Sequence, residues 1–440
     1  MQPSFPKMVA AAVLCCAAGT CTGALADDPL RRRADWGASF APPEDGNPAR
    51  IVRFRPDSVL EKAGLKAGDQ ILELDGRPVT GLSVIGRFLR SKRAGDRAEF
   101  AVRRGPETIR VSAIAAAMPT EKVEGVEIRY GAARSAKGYR VRTYTSRPAG
   151  ATGRLPLVVF IPWLSCGAVE TPFGAGGDSW MKMLYAVMRD SGAQVVRVEK
   201  PGVGDSEGPD CSESDLDHDL EAFRAGIRAA LADPGADPAR LTIFGGSIGG
   251  ALAAVLAAEF KPRALVTAGS FSRTWYEHIL GHERRRLERS GAKPSEVNAA
   301  MKAYAGFYDL YLQQGLTPAQ AIARDARYAK VWTDEPEHQY GRPARYYQQV
   351  QALDVEGAWA ATAARTLVFW GEHDWIMGRE DQERVAAILG PRATLVVRPG
   401  MNHHFDRFPD AARAFREEGG EFDAEGAGLI AAWLRSLDAS

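Results

Sequence analysis

The sequence lacks an excess of either charge. Its 440 residues contain 56 lysines and arginines against 55 aspartates and glutamates, a net charge of +1. A strongly basic surface is what draws proteins to nucleic acids and anionic membranes, so we expect neither as a partner. Two basic triplets, at residues 31–33 and 284–286, are short, and we interpret both as solvated surface.

Long apolar runs are also absent, with one short exception near the N-terminus. The run MVAAAVLCCAAGT is too short to span a bilayer as a stable helix. It follows a single charged residue, Lys7, and leads to Ala24-Leu25-Ala26, a small-x-small cleavage pattern. These features are typical of a secretory signal peptide at residues 1–26. We therefore expect a secreted protein, with the periplasm as its compartment and no membrane segment after cleavage; a buried N-terminal helix is the alternative.

Cysteine is scarce. Three of the five cysteines, Cys15, Cys16 and Cys21, lie in the expected signal peptide, where a lipid-attachment site is a minor alternative. The mature chain keeps only Cys166 and Cys211. Two cysteines in an oxidising compartment are compatible with a disulfide and with two separate buried thiols, and their number alone leaves both possibilities open.

Residues 34–118 form a unit rich in strand patterns. The run DQILELDGRPV alternates as strands do, and the GP between AEFAVRR and ETIRVSAI marks a hairpin. The run RPDSVLEKAGLKAGDQILELDGRPV resembles bacterial PDZ domains. PDZ domains add a partner's C-terminus or extended segment to a sheet edge, with backbone donors holding the carboxylate. The resemblance assigns that loop to Trp36, Gly37, Ala38 and Ser39; a PDZ domain that only packs between domains is the alternative.

Residues 119–440 change in character. Continuous apolar runs such as LPLVVFIPW are expected when both faces of a sheet are covered, and they alternate with helical patterns. This alternation predicts an α/β fold with a mostly parallel sheet and helices on both faces. Strand patterns stop between about 272 and 355, where charged and aromatic residues dominate. We expect that interval to be an inserted helical cap.

The segment RLTIFGGSIGGALAAVLAAEF contains the most informative motif. Ser247 lies in G-x-S-x-G, directly after an apolar strand pattern and directly before a helical one. That context is the one in which the motif forms a nucleophile elbow. Glycine at 245 and 249 removes the Cβ atoms that would clash in a sharp turn, and a helix N-terminus brings positive potential to the serine. A glycine-rich turn without chemistry is the alternative.

A serine nucleophile needs a base and an acid that orients it. Asp374 follows the strand pattern TLVFW, and His403 follows TLVVR, in the chain order Ser, Asp, His. Active sites gather at the carboxyl ends of strands in open α/β sheets, so we expect the three residues to meet. Glu372 and His404 are the alternatives for the acid and the base.

These runs, together with VVFIPW and VVRVEKPGVGDSEGP, resemble the α/β-hydrolase superfamily over residues 120 to 437. The resemblance implies that Ser247 is the nucleophile, Asp374 the acid and His403 the base. It implies that the backbone N–H groups of Leu164 and Ile248 form the oxyanion hole. PWLSC stands where the family often has His-Gly-x.

The same resemblance implies that the loops of Cys166 and Cys211 lie at one sheet edge. A bridge between these cysteines would brace the loop of Leu164. No metal or organic cofactor is required by such an enzyme. His278 and His282, four residues apart, are compatible with metal ligation, but we interpret them as an exposed helix face.

The expected function is therefore hydrolysis of carboxylic esters through an acyl-enzyme. A peptidase is the first alternative, because a PDZ domain can hold a polypeptide substrate. A binding protein on a hydrolase scaffold is the second. The acyl and leaving groups depend on the packing of the cap, which the sequence does not reveal.

Overall fold

The computed structural model describes residues 30–42 and 48–438. The expected signal peptide at 1–26, with its three cysteines, lies outside these ranges. Across the described ranges, no helix has both the length and the apolar character that a bilayer crossing needs.

The N-terminal unit is a small, mostly antiparallel β structure. Its strands are β1 Ala34–Asp35, β2 Ala38–Ala41, β3 Arg50–Phe54, β4 Gln70–Leu74, β5 Arg77–Pro78, β6 Arg97–Arg104, β7 Glu107–Ile114 and β8 Ala116–Ala117, and its helices are α1 Val59–Lys62 and α2 Leu82–Ser91. The main sheet has the order β2-β3-β4-β6-β7, with β5 against β4, and β1 pairs with β8. The predicted β-rich PDZ-like unit is confirmed.

An eight-stranded sheet organises the rest of the chain. Its strands are β9 Val126–Arg134, β10 Arg140–Pro148, β11 Leu155–Ile161, β12 Gln194–Val198, β13 Ala236–Gly246, β14 Ala264–Ala268, β17 Arg365–Gly371 and β18 Ala393–Arg398. They lie in the order β18-β17-β14-β13-β11-β12-β10-β9. All pairs from β12 to β18 are parallel, and β9 and β10 run antiparallel at one edge.

Helices cover both faces of this sheet. Those outside the cap are α3 Ser179–Asp190, α4 Leu216–Leu231, α5 Ile248–Phe260, α11 Arg379–Leu389, α12 Ala411–Arg416 and α13 Ala424–Ser436. On β11, Leu157 and Val159 pack with α4 and α5, whereas Val158 and Phe160 pack with α3 and α13. Because alternate residues of a strand face opposite sides, a strand buried on both sides must be apolar throughout. The predicted α/β architecture is confirmed.

The cap lies in the chain between β14 and β17. It contains α6 Trp275–Arg289, α7 Pro294–Tyr308, α8 Pro318–Arg324, α9 Ala344–Gln351 and α10 Val355–Ala361, together with a short hairpin of β15 His338–Gln339 and β16 Arg342–Pro343. The predicted inserted helical cap is confirmed. The hairpin was not predicted, because two strands of two residues give no periodic signal. A last pair, β19 Asp406–Arg407 and β20 Glu421–Phe422, lies near the C-terminus.

The interpretation of the basic triplet at 31–33 as solvated surface is wrong for Arg32 and Arg33, although Arg31 is exposed. Arg32 donates to Asp205 at 2.5 Å and to Glu170 at 2.7 Å, and the backbone N–H of Arg33 donates to Asp205 at 2.7 Å. The side chains of both carboxylates are fully buried. Buried carboxylates need cationic partners. Arg32 and Arg33 therefore join the N-terminal segment to the larger domain.

Candidate active site

Ser247 occupies the sharp turn between β13 and α5. Its φ of +56° lies in the left-handed region that non-glycine residues rarely adopt. The turn is held by a hydrogen bond from the N–H of Ser247 to the carbonyl oxygen of Ala268, at 2.9 Å. Such strain at a single residue is typical of functional sites. It directs the serine side chain toward the large cavity described below.

The glycines around Ser247 are required by close backbone contacts. A Cβ atom on Gly245 would overlap the carbonyl group of Gly249, and a Cβ on Gly249 would overlap the carbonyl oxygen of Ile161. Even alanine at 249 would push the turn away from β11, and alanine at 245 would push α5 away from the end of β13. The turn can therefore form only with bare backbone at these two positions.

His403 lies between Ser247 and Asp374. Its Nε2 is 3.0 Å from Ser247 Oγ, and its Nδ1 is 2.7 Å from Asp374 Oδ2. The other carboxylate oxygen of Asp374 accepts the N–H groups of Ile376 and Met377, at 2.9 and 2.8 Å. Those bonds fix the carboxylate, and the carboxylate in turn fixes the imidazole. The three residues expected to meet therefore form a chain of hydrogen bonds, from Asp374 to His403 and from His403 to Ser247.

The alternative acid and base have other hydrogen-bond partners. Glu372 accepts the N–H of Gly400 at 3.0 Å. His404 is half-exposed and pairs through Nδ1 with Glu417 at 2.9 Å. Neither side chain hydrogen-bonds to Ser247 or His403, so the geometry favours Asp374 and His403.

Leu164 and Ile248 line the same cavity as Ser247. Ile248 is the first residue of α5, where backbone N–H groups have no partner within the helix. In the described part of the chain, neither the N–H of Leu164 nor that of Ile248 donates a hydrogen bond to another residue. Both donors are therefore free to bind an oxygen beside Ser247. We call residues 163–168 the oxyanion loop.

Several buried groups hold the oxyanion loop. Cys166 forms a disulfide with Cys211, as one of the two alternatives for these cysteines predicted. The ammonium of Lys200 donates to the carbonyl oxygen of Ser165 at 2.8 Å, and Glu199 accepts the N–H of Val169 at 2.9 Å. Burial raises the pKa of the Glu199 carboxyl and lowers the pKa of the Lys200 ammonium. The loop is thus fixed from the side that faces the sheet.

A cavity of about 1170 Å³ opens beside Ser247 and His403. Ligand sites commonly measure about 300–1,000 Å³, so this one admits a bulky substrate. Aromatic side chains make up much of its wall, namely Trp163, Trp180, Trp275, Tyr304, Tyr308, Trp332, Tyr340 and Trp375. Trp275, Tyr304, Tyr308, Trp332 and Tyr340 belong to the cap. The cap therefore shapes the part of the cavity away from Ser247.

His278 and His282 lie in the wall of this cavity, so their interpretation as an exposed face is wrong. His278 packs against Trp275, with ring centroids 4.9 Å apart, and His282 stacks on Trp375 at 5.0 Å. Burial lowers the pKa of His278 to about 4 and that of His282 to about 3. Both imidazoles are neutral near pH 7. Within the described ranges, no cluster of three or more His, Cys, Asp or Glu side chains is arranged to hold a metal ion.

These two histidines predict a loss of stability in mild acid. In the unfolded chain both titrate near 6.5, so below that pH the unfolded chain binds protons that the folded protein does not. Between about pH 7 and about pH 5.5, these two histidines should reduce the free energy of unfolding by on the order of 2 kcal/mol, whereas Glu199, whose carboxyl pKa is raised by burial, acts in the opposite direction. Urea denaturation at both pH values measures this. The variant His278→Phe/His282→Phe keeps two rings without the titrating nitrogens, so acidification should cost it less stability than it costs the wild type, by on the order of 2 kcal/mol. An equal change in the two proteins contradicts the assignment.

Gly269 is a site residue that the sequence did not reveal. It follows β14 with a φ of +58°, and a Cβ atom there would lie 2.9 Å from Asp374 Oδ2 and 3.1 Å from His403 Nδ1. Its bare backbone leaves room for the hydrogen bond between these two side chains. The sequence around Gly269, TAGS after an apolar strand pattern, predicts only a turn, and many other glycines in the chain follow strand patterns in the same way.

The predicted carboxylate-binding loop of the PDZ-like unit is partly occupied by its own side chains. Trp36 is buried in the core, edge-on to Phe100. The N–H of Gly37 donates to the Asp35 carboxylate at 2.9 Å, and Arg55 also pairs with Asp35. Ala38 and Ser39 begin the edge strand β2. The N–H of Gly37, which the resemblance assigns to a ligand carboxylate, is therefore already bound to the Asp35 side chain.

Comparison with known proteins gives two family matches. The family model of the alpha/beta hydrolase fold matches residues 172–406, more than half of the chain. The PDZ domain model matches residues 50–104. The serine protease HTRA1 of Xenopus tropicalis is 39% identical over 70 residues, and the match spans 15% of that relative's length and 16% of this chain.

Solved structures with a similar arrangement include two esterases. Carboxyl esterase 2 from the mycorrhizal fungus Tuber melanosporum is 18% identical, with 73% of this chain and 90% of that chain covered and a TM-score of 0.44. An esterase of Pyrobaculum calidifontis is 20% identical, with 73% and 88% covered and a TM-score of 0.43.

Proposed function

Because the chain belongs to the alpha/beta hydrolase family, we propose that it is a serine hydrolase that cleaves carboxylic esters through an acyl-enzyme. One observation carries the proposal. Ser247, His403 and Asp374 are linked by hydrogen bonds of 3.0 and 2.7 Å, and Ser247 and His403 line a large cavity. That constellation activates a serine hydroxyl, which is otherwise a weak nucleophile.

The proposed reaction begins at Ser247 Oγ. His403 Nε2 takes the hydroxyl proton as Oγ attacks the ester carbonyl carbon, and Asp374 stabilises the imidazolium that forms. The carbonyl oxygen becomes an oxyanion, which receives hydrogen bonds from the N–H groups of Leu164 and Ile248. Collapse of the tetrahedral intermediate breaks the bond to the alcohol, which leaves with the proton from Nε2. A water molecule then repeats the sequence on the acyl-enzyme and releases the acid.

We also propose that the protein is secreted. The N-terminal pattern of residues 1–26 supports export. The disulfide between Cys166 and Cys211 supports the same conclusion, because such bonds persist in oxidising compartments.

Labelling with a fluorophosphonate probe tests the proposed nucleophile. The wild-type protein should form a covalent adduct on the peptide that contains Ser247, and Ser247→Ala should form none. The absence of an adduct on the wild type, or equal labelling of both proteins, would reject the enzyme in favour of a binding protein. Turnover of a panel of nitrophenyl esters and amino-acid anilides then separates the ester reading from the peptidase reading, since cleavage of anilides alone contradicts an esterase.

A further inference from the structure

The oxyanion loop lies between two cavities. On one side is the catalytic cavity, and on the other is a small cavity of about 220 Å³ between the loop and the PDZ-like unit. The wall of the small cavity includes Phe40 and Leu89 from the PDZ-like unit and Cys166 from the loop. Ala168 lines both cavities. A displacement of the PDZ-like unit at this point therefore bears directly on the loop that carries Leu164.

Arg90 makes the most specific contact across this junction. From helix α2 its Nε and Nη2 donate to the two carboxylate oxygens of Asp210, each at 2.9 Å. Both side chains are about three-quarters buried. A bidentate, partly desolvated pair fixes orientation better than a solvent-exposed one. Asp210 immediately precedes Cys211, whose sulfur is bonded to Cys166 in the oxyanion loop.

Other arginines contact the chain just beyond the loop. Arg32 and Arg33 pair with Glu170, at 2.7 and 3.4 Å. The guanidinium of Arg55 lies 3.8 Å from the ring centroid of Phe173, within cation–π range. The segment that follows the loop is thus held by the PDZ-like unit and the residues that lead into it. Arginines outside the hydrolase domain therefore contact it at two points near the loop. One is Asp210, next to the disulfide, and the other is Glu170, just after the loop.

We propose that the PDZ-like unit positions the oxyanion loop, and that Arg90 is a positioning residue acting through Asp210 and the disulfide. The inference rests on the proposed function, because its catalytic consequence is the placement of the Leu164 N–H. A donor aimed at the oxyanion acts in the transition state. Loss of its alignment therefore lowers kcat and leaves KM nearly unchanged.

The variant Arg90→Ala tests this, with Arg104→Ala as its matched control. Arg104 makes an equally bidentate pair with Asp69, at 2.8 and 2.7 Å, entirely within the PDZ-like unit. For ester hydrolysis we expect Arg90→Ala to lower kcat by about tenfold with KM within about twofold. Arg90→Lys, which keeps the charge and loses the fork, should lie between, and Arg104→Ala should match the wild type. Thermal unfolding of all variants checks that lost stability is not the cause.

Hydrogen–deuterium exchange of peptides that span residues 163–168 gives a readout independent of activity. Exchange should be faster in Arg90→Ala than in the wild type and unchanged in Arg104→Ala. A wild-type kcat together with wild-type exchange in Arg90→Ala overturns the positioning role, as does an equal effect of Arg104→Ala. If the wild type neither turns over esters nor reacts with the fluorophosphonate probe, the proposed function fails, while the exchange data still decide whether Arg90 restrains the loop.

Discussion

Replacement of His403 by alanine is expected to lower kcat for ester hydrolysis by about 10³-fold or more. His403 is the group whose Nε2 lies 3.0 Å from Ser247 Oγ, so its removal leaves the hydroxyl without a base. The alcohol product also loses its proton donor. Steady-state turnover of a nitrophenyl ester measures the effect, and reaction with the fluorophosphonate probe should slow in parallel.

The adjacent His404 provides the matched control. Its ring lines the same cavity as His403, pairs with the exposed Glu417 and makes no hydrogen bond to Ser247. His404→Ala should therefore keep kcat within a few-fold of the wild type. Since His404 is also the alternative base, a larger loss in His404→Ala than in His403→Ala would reverse the assignment of the two imidazoles.

Replacement of Gly269 by valine should lower kcat by about 10²-fold, although Gly269 takes no part in the chemistry. A Cβ atom there would stand 2.9 Å from Asp374 Oδ2 and 3.1 Å from His403 Nδ1. A branched side chain must push these groups apart, and a φ of +58° disfavours it further. The hydrogen bond that orients the imidazole would lengthen, and activity assays with thermal unfolding would measure both consequences.

Gly291 separates the two effects of that substitution. It also has a positive φ, +84°, but no atom lies within 4 Å of the place where its Cβ would stand. Gly291→Val should lower the melting temperature and leave kcat near the wild-type value. Equal losses of kcat in the two variants would mean that the activity of Gly269→Val falls through general destabilisation.

The meeting of the three proposed catalytic residues was readable in the sequence because each of them follows a strand. Ser247 comes directly after β13, whereas Asp374 and His403 lie in the short loops that follow β17 and β18. The carboxyl ends of parallel strands meet at a common edge of the sheet. The continuous apolar strands likewise predicted a sheet covered on both faces. These inferences depend on local pattern and on one general property of parallel sheets.

Features that depend on the meeting of distant segments were not readable. The acidic partners of Arg32 and Arg33 lie more than 130 residues away in the chain, so the triplet resembled a solvated one. His278 and His282 lie on a charged helix, and their burial depends on rings outside that helix, since Phe271 packs on His278 and Trp375 stacks on His282. The role of Gly269 likewise depends on where Asp374 and His403 meet.

The alanine shared by the two cavities sets a limit on how this protein can be changed. Because Ala168 lines both cavities, a larger side chain there must take up space in the cavity beside Ser247 or in the small cavity next to the PDZ-like unit. Substitutions that alter substrate range at this position are therefore constrained by a second domain. Selection for new specificity should find compatible changes more readily in the cap than in the oxyanion loop.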